Sequence, residues 1–287
     1  MTLKNNHFLT DLDGTLLHSD ASLSAYTVES IVRAMEEGAV ISYATARSHI
    51  SSYKIVSVIP WKHPIVLYNG AVIYEPLSMK VIGGHWLDNG TANEIIEIGR
   101  SFAMLPYLFA LDEDDQERVL HEKLVRSGDL AFFASRPNDP RFGELPILAC
   151  PASFRALMMT FIGLLHELEP LKDEVSRRFG SHVHVHLMKD AYIENHYFLE
   201  FSHRHANKKE GLRQWAELVG CKPEDVTVFG DNLNDLGMFE TAGTRIAVSN
   251  AHPVLLELAT HVTLSNDEDG VAVYINAIKH SERKELP

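Results

Sequence analysis

The sequence predicts an α/β fold, a parallel sheet interrupted by an inserted α+β unit. Three observations carry that expectation. Apolar, β-branched runs alternate with segments of helical period through about residue 75, the same alternation returns from about residue 197, and the texture between roughly 84 and 194 is different. Strand, helix and strand in that order favour a parallel sheet.

The elements follow in chain order. "HFLTD" reads as a strand. "SAYTVESIVRAMEEG" has apolar residues at helical spacing and closes on Gly38, and "AVISYAT" and "PIVLYN" are apolar strands. In the middle, helical "TANEIIEIGRSFAM" and "LHELEPLKDEVSRRFG" lie among strand-like "PYLFALD" and "RALMMTFIG", with a Pro- and Gly-bearing loop, "SRPNDPRFGELP". The alternation then resumes with "YFLEF", helical "NKKEGLRQWAELVG", the strand "DVTVFG", a short helix around "LNDLGMFETAG", "TRIAVS", helical "AHPVLLELAT" and "HVTLS". This organisation predicts a Rossmann-like parallel sheet core from residues 1–83 and 195–287, with 84–194 inserted as an α+β domain. "SERKELP" is expected to fray, and there is no internal repeat.

Composition narrows the function. The 287 residues are 45% apolar and 23% charged, ordinary for a globular chain of two domains. No run approaches the ~18 apolar residues of a membrane span, and no signal sequence is visible, so a cytoplasmic protein is expected. Cys150 and Cys221 have no C-x-x-C spacing and read as structural thiols. A formal charge of −13 argues against nucleic acid or an anionic membrane as partner. It also means that an anionic substrate needs a local cation and well-placed lysines.

Three strands end on polar clusters: "FLTDLDGT" on Asp11 and Asp13, "ISYATAR" on Thr45, and "VTVFGDNLND" on Asp231, Asn234 and Asp235. In a parallel sheet the carboxyl ends share one edge, where ligands bind. An Asp-rich turn explains the first stretch alone equally well. Like charges two residues apart become tolerable if a cation sits between them or one carboxyl keeps its proton, and Gly14 allows a sharp turn. In "ANKKEGL", Asn207 is a good N-cap, while Lys208 in the first turn opposes the helix dipole. A role other than helix stability is implied.

The order "DLDGT", "TAR", "ANKKEGL", "GDNLND" resembles the haloacid dehalogenase-like hydrolases, and "YNGAVIY", "VSNAHPVL" and "NDEDGVAVYI" resemble their Cof-type branch with a type IIB cap. The resemblance implies that Asp11 is a nucleophile forming an aspartyl-phosphate and that Asp13 is the general acid and base. It places a phosphoryl oxygen on Thr45, near Gly14, and offsets its charge with Lys208. Asp231 joins Asp11 and the Asp13 carbonyl oxygen on magnesium, Asn234 and Asp235 complete the surroundings, and Asn250 matches a further polar position. Magnesium takes oxygen ligands, one or two of them carboxylates, alongside substrate phosphate. Two residues depart from the pattern: Ala46 stands where glycine is usual, and Lys209 stands beside Lys208, leaving open which lysine serves.

The implied activity is hydrolysis of a small phosphorylated metabolite, such as a sugar phosphate, a nucleotide or flavin precursor, or a vitamin phosphate. The cap closes over the substrate, and the protein is a monomer or weak homodimer. A phosphomutase is the alternative within the superfamily, and a phospho-accepting or metal-binding module is the non-enzymatic one. A dehalogenase is disfavoured by the acid at Asp13. Finally, "HVHVH" sets His182, His184 and His186 on one strand face. Zinc binding is one reading, and an exposed strand with inward valines is another.

Overall fold

A computed structural model describes residues 6–189 and 193–285. The first segment contains β1 (His7–Thr10), α1 (Ala25–Glu36), β2 (Val40–Tyr43), α2 (His49–Val56), β3 (Ile65–Leu67), β4 (Val72–Glu75) and β5 (Lys80–Gly83). Then come α3 (Asn89–Ser101), β6 (Tyr107–Leu111), β7 (Glu117–His121), α4 (Ser127–Ala134), β8 (Phe142–Glu144), β9 (Arg155–Leu164), α5 (Leu165–Phe179), β10 (Val183–Lys189) and β11 (His196–His203). The last segment holds α6 (Lys208–Val219), β12 (Val226–Gly230), α7 (Leu236–Thr241), β13 (Thr244–Val248), α8 (Pro253–Leu258), β14 (His261–Thr263) and α9 (Gly270–Glu285).

The chain divides into one unit of residues 1–84 and 207–287 and another of 85–206. In the first, β14-β13-β12-β1-β2 form a wholly parallel sheet. Strand β1 lies inside the sheet, with β2 on one side and β12, far away in sequence, on the other. This reversal opens the crevice at which open α/β sheets bind ligands. Phe8, Leu9, Ile41, Val228 and Phe229 are buried, as apolar runs in a two-sided parallel sheet require. Helix α1 starts at Ser24, whose side chain accepts the Thr27 N–H, and it buries Ile31, Ala34 and Met35. Strand β3 meets the parallel sheet only at a bridge between Ala44 and Val66, and otherwise pairs antiparallel with β4, which pairs with β5.

The second unit is a six-stranded sheet in the order β10-β11-β9-β6-β7-β8, antiparallel except for β7 with β8. One buried cluster joins Ile95 and Ile96 of α3 and Leu168, Leu171 and Val175 of α5 to Met159, Phe161, Leu199 and Phe201 of the sheet. A smaller cluster unites Tyr107, Val119, Ile162 and Phe132 of α4.

The second boundary differs from the sequence reading, which starts the returning core segment at 195. "YFLEF" lies in β11, where Glu200 pairs with Thr160 and Phe201 with Met159, so the return crossing falls between 206 and 207. An apolar alternating strand looks the same in either sheet, and only its pairing partners separate the two. The terminal "SERKELP" also differs: α9 continues to Glu285, while Leu286 and Pro287 lie outside the described residues. In "HVHVH", Val183 is buried and Val185 packs against the large cluster, while His184 is exposed. Cys150 is buried and Cys221 half-buried. Both are free thiols, and burial pushes Cys150 up to about 11. No helix among the described residues is long and apolar enough to cross a membrane.

Candidate active site

Strand β1 delivers Asp11 to the crevice, its N–H bonded to the Phe229 carbonyl of β12 at 3.0 Å. The chain then makes a wide turn over Leu12–Leu16, closed by the Leu17 N–H on the Leu12 carbonyl. Gly14 makes that turn possible on two counts. Its φ is +73°, and a Cβ there would lie 2.6 Å from Asp231 Oδ2. The turn separates the two aspartates. Asp11 is only 4% exposed, whereas Asp13 is exposed.

Each aspartate has its own cation. Lys208 Nζ is 2.6 Å from Asp11 Oδ1 and 2.6 Å from Asp235 Oδ1, in a fully buried arrangement. Arg47 forks onto Asp13, Nε to Oδ2 at 2.7 Å and Nη2 to Oδ1 at 2.5 Å. The ammonium beside Asp11 is that of Lys208. Lys209 instead pairs with Glu240 on the surface. Asn207 caps α6 by accepting the Glu210 N–H, and Gly70 lies so close that a Cβ would be 2.4 Å from the Asn207 carbonyl oxygen. This packing fixes the helix start from which Lys208 reaches inward.

Strand β12 ends in a loop organised by Asp235. Its Oδ2 accepts the N–H groups of Asp231 (3.0 Å) and Asn232 (3.1 Å), while Oδ1 takes Lys208. Asp231 Oδ1 accepts from the Thr15 hydroxyl at 2.9 Å. At the end of β2, Thr45 is fully buried. Its Oγ1 accepts the Arg47 N–H at 3.1 Å, leaving the hydroxyl proton available to an incoming oxygen. Ala46 is not among the described residues with positive φ, so alanine is accommodated where glycine is usual.

Among the described residues, Asp11, Asp231 and Asp235 form a group whose ligand atoms lie within 4.8 Å of one another. Burial, then the Asp235 charge, hold the carboxyls of Asp11 and Asp231 above their ordinary range. Burial pulls the Lys208 ammonium down, and Asp11 and Asp235 more than reverse it, so Lys208 stays charged. Three carboxylates against one ammonium leave two negative charges when all are ionised. A divalent cation with oxygen preference fits that deficit. Asp235 already accepts from Lys208 and two N–H groups and so positions the cluster, while Asp11 and Asp231 are the carboxylates with more acceptor capacity left for an ion.

The family model described as haloacid dehalogenase-like hydrolase matches residues 8–275, spanning all of these residues. The chain belongs to the haloacid dehalogenase-like hydrolases. It is 26% identical over 265 residues to the pyridoxal phosphate phosphatase YbhA of Escherichia coli, covering 92% of this chain and 95% of that protein. It is 28% identical over 285 residues to the 5-amino-6-(5-phospho-D-ribitylamino)uracil phosphatase YwtE of Bacillus subtilis, covering 93% and 96%. An X-ray structure from Thermotoga maritima superposes with a TM-score of 0.77 at 26% identity, covering 95% of this chain and 97% of that one. The expected family, fold class and phosphatase type of enzyme stand on these matches.

Within this hydrolase, the other expected residues have visible tasks. Asn250 donates to the Gly14 carbonyl (2.9 Å) and accepts the Asn266 N–H (2.9 Å), so it braces the loop after β1. Asn234 is exposed and donates to Asn69 Oδ1 at 3.3 Å. The sequence reading missed Arg47, Thr15 and Asn69. Arg47 stands inside "TAR", and a basic residue beside an acid-rich strand edge was the available signal. Thr15 follows "DLDG" without any pattern that announces its partner 216 residues away.

Proposed function

We propose that this hydrolase is a magnesium-dependent phosphatase of small phosphorylated metabolites, acting through an aspartyl-phosphate on Asp11. The carrying observation is the placement of Asp11: 4% exposed, at the carboxyl end of the interior strand β1, with its carboxylate 2.6 Å from a buried ammonium. An Asp held there for structure alone would be a costly buried charge. Asp11 and Asp231, with the Asp13 carbonyl oxygen, would hold magnesium, which when bound supplies positive charge to the phosphoryl oxygens.

Asp11 attacks phosphorus with one carboxylate oxygen as the bond from phosphorus to the ester oxygen breaks. Asp13, protonated, gives its proton to the departing oxygen. As a carboxylate, Asp13 then takes a proton from water, whose oxygen attacks the phosphorus of the acyl phosphate. Inorganic phosphate leaves and Asp11 is regenerated. Thr45 donates to a phosphoryl oxygen and Lys208 offsets its charge. Asp13 must come off Arg47 to act as an acid, because the fork occupies both of its oxygens. The two relatives are named for phosphates of ring-bearing metabolites, which supports a vitamin phosphate or flavin-precursor substrate. A screen of phosphorylated metabolites with magnesium, read as phosphate release, tests the proposal. Release from ring-bearing phosphates, abolished by chelator, is expected, and no release from any monoester contradicts it.

A further inference from the structure

Two stretches of the sequence, "VSNAHPVL" and "NDEDGVAVYI", lie outside the reacting groups, yet both grip the turn that carries Asp13. The Asn250 amide donates to the Gly14 carbonyl at 2.9 Å, and its Oδ1 accepts the Asn266 N–H at 2.9 Å. Asn266 is only 3% exposed, and its own amide donates to the Leu17 carbonyl at 3.0 Å. Leu17 in turn gives its N–H to the Leu12 carbonyl at 2.8 Å and closes the turn. The same pair of asparagines therefore holds the turn at two points, Gly14 and Leu17, both on the C-terminal side of Asp13.

The segment that presents Asn266 is itself braced. Ser265 and Glu268 form a capping box, in which Glu268 Oε2 takes the Ser265 hydroxyl at 2.7 Å and its N–H at 3.2 Å. Asp267 accepts the N–H and the hydroxyl of Ser19, at 2.8 and 2.7 Å. Asp269 accepts the hydroxyls of Ser24 at 2.6 Å and Thr27 at 2.8 Å, and lies 3.0 Å from His18 Nε2. Asp11 is anchored by other elements, its N–H on the Phe229 carbonyl of β12 and its carboxylate on Lys208 of α6. Cutting the asparagine pair thus loosens the turn at Asp13 and leaves the Asp11 anchors in place.

We infer that Asn266, working with Asn250, is a positioning residue that aims Asp13 at the departing oxygen. The inference rests on the reading of Asp13 as the group that moves the proton. A side chain that only supports the fold slows every substrate alike when it is removed. One that aims an acid costs most where the leaving oxygen most needs a proton.

The test is kcat/KM, which covers the steps through departure of the leaving group, measured for an alkyl and an aryl phosphate in the unsubstituted chain, Asn266→Ala and Asn250→Ala. Each variant is expected to lose about tenfold or more on the alkyl phosphate and less than about threefold on the aryl phosphate. A thermal melt shows whether each variant is folded. Asn250 is exposed, so its variant decides the matter should Asn266→Ala fail to fold. Equal losses on the two substrates, or no loss on either, in a folded variant would overturn the inference and leave the phosphatase reading standing. No phosphate release by the unsubstituted chain from any monoester would remove that reading and the inference with it.

Discussion

Arg47 grips Asp13 with both arms of its guanidinium, at 2.7 and 2.5 Å. A planar fork matched to a carboxylate fixes direction as well as charge, so Arg47 sets where Asp13 rests and, on the proposed mechanism, from where it turns to the substrate. Half of the Asp13 side chain remains exposed, and a pair of that kind adds little stability. Arg47→Ala should therefore leave the melting temperature almost unchanged. Turnover should fall about 10- to 100-fold for alkyl phosphates, as expected for a misaimed general acid, and less for aryl phosphates with good leaving groups. Equal losses for both substrate types in steady-state assays would show that Arg47 does not act through Asp13.

Gly14→Ala tests the turn that separates the two aspartates. The new Cβ would meet Asp231 Oδ2 at 2.6 Å in a backbone region that L-residues avoid. Displacement of Asp231 by a fraction of an ångström to an ångström should lower turnover about 100-fold and weaken magnesium dependence of the rate in parallel. A variant with wild-type kinetics would mean that the turn tolerates a side chain and that Asp231 is not held where the account requires.

Stability should depend on pH and metal together. Burial, then Asp235, raise Asp11 and Asp231 above their unfolded values. Between the unfolded value near 4 and the raised folded values, the folded chain binds more protons than the unfolded chain, so stability falls as pH rises through that window. Asp129, pushed up to about 6, contributes with the same sign. In chelator these carboxyls should therefore lower the melting temperature as pH rises above their unfolded value, against His7, His49, His63, His184 and His203, which burial lowers and which act with the opposite sign. Magnesium should raise it most at the upper end, where the carboxylates are ionised, and leave the Asp129 contribution in place. A magnesium effect that is the same at every pH would detach the metal from these carboxylates.

The sheet edge was legible because apolar strands ending in carboxylates leave few other arrangements in a parallel α/β order. Lys208 was legible for a related reason: a lysine in the first turn of a capped helix opposes the dipole, and its burial between Asp11 and Asp235 supplies the explanation. The separate pairing of Asp13 was not legible. Spacing put Asp11 and Asp13 together as like charges needing a cation between them or a proton on one of them, whereas the turn at Gly14 sends them to Lys208 and Arg47. The strand His196–His203 was assigned to the wrong sheet because period alone does not name a partner, and the pairing of Phe201 with Met159 depends on contacts distant in sequence.

The central claim is that Asp11 carries the phosphoryl group while Asp13 moves the proton, and rapid-quench labelling with a radiolabelled aryl phosphate tests it most directly. Asp11→Asn removes the nucleophilic oxygen while nearly keeping the shape, so no label should appear on the protein. Asp13→Asn keeps the nucleophile and removes the group that activates water. With a leaving group that needs little protonation, acid-stable label should then accumulate. Label on the Asp11 variant, or near-normal turnover by it, would contradict the account.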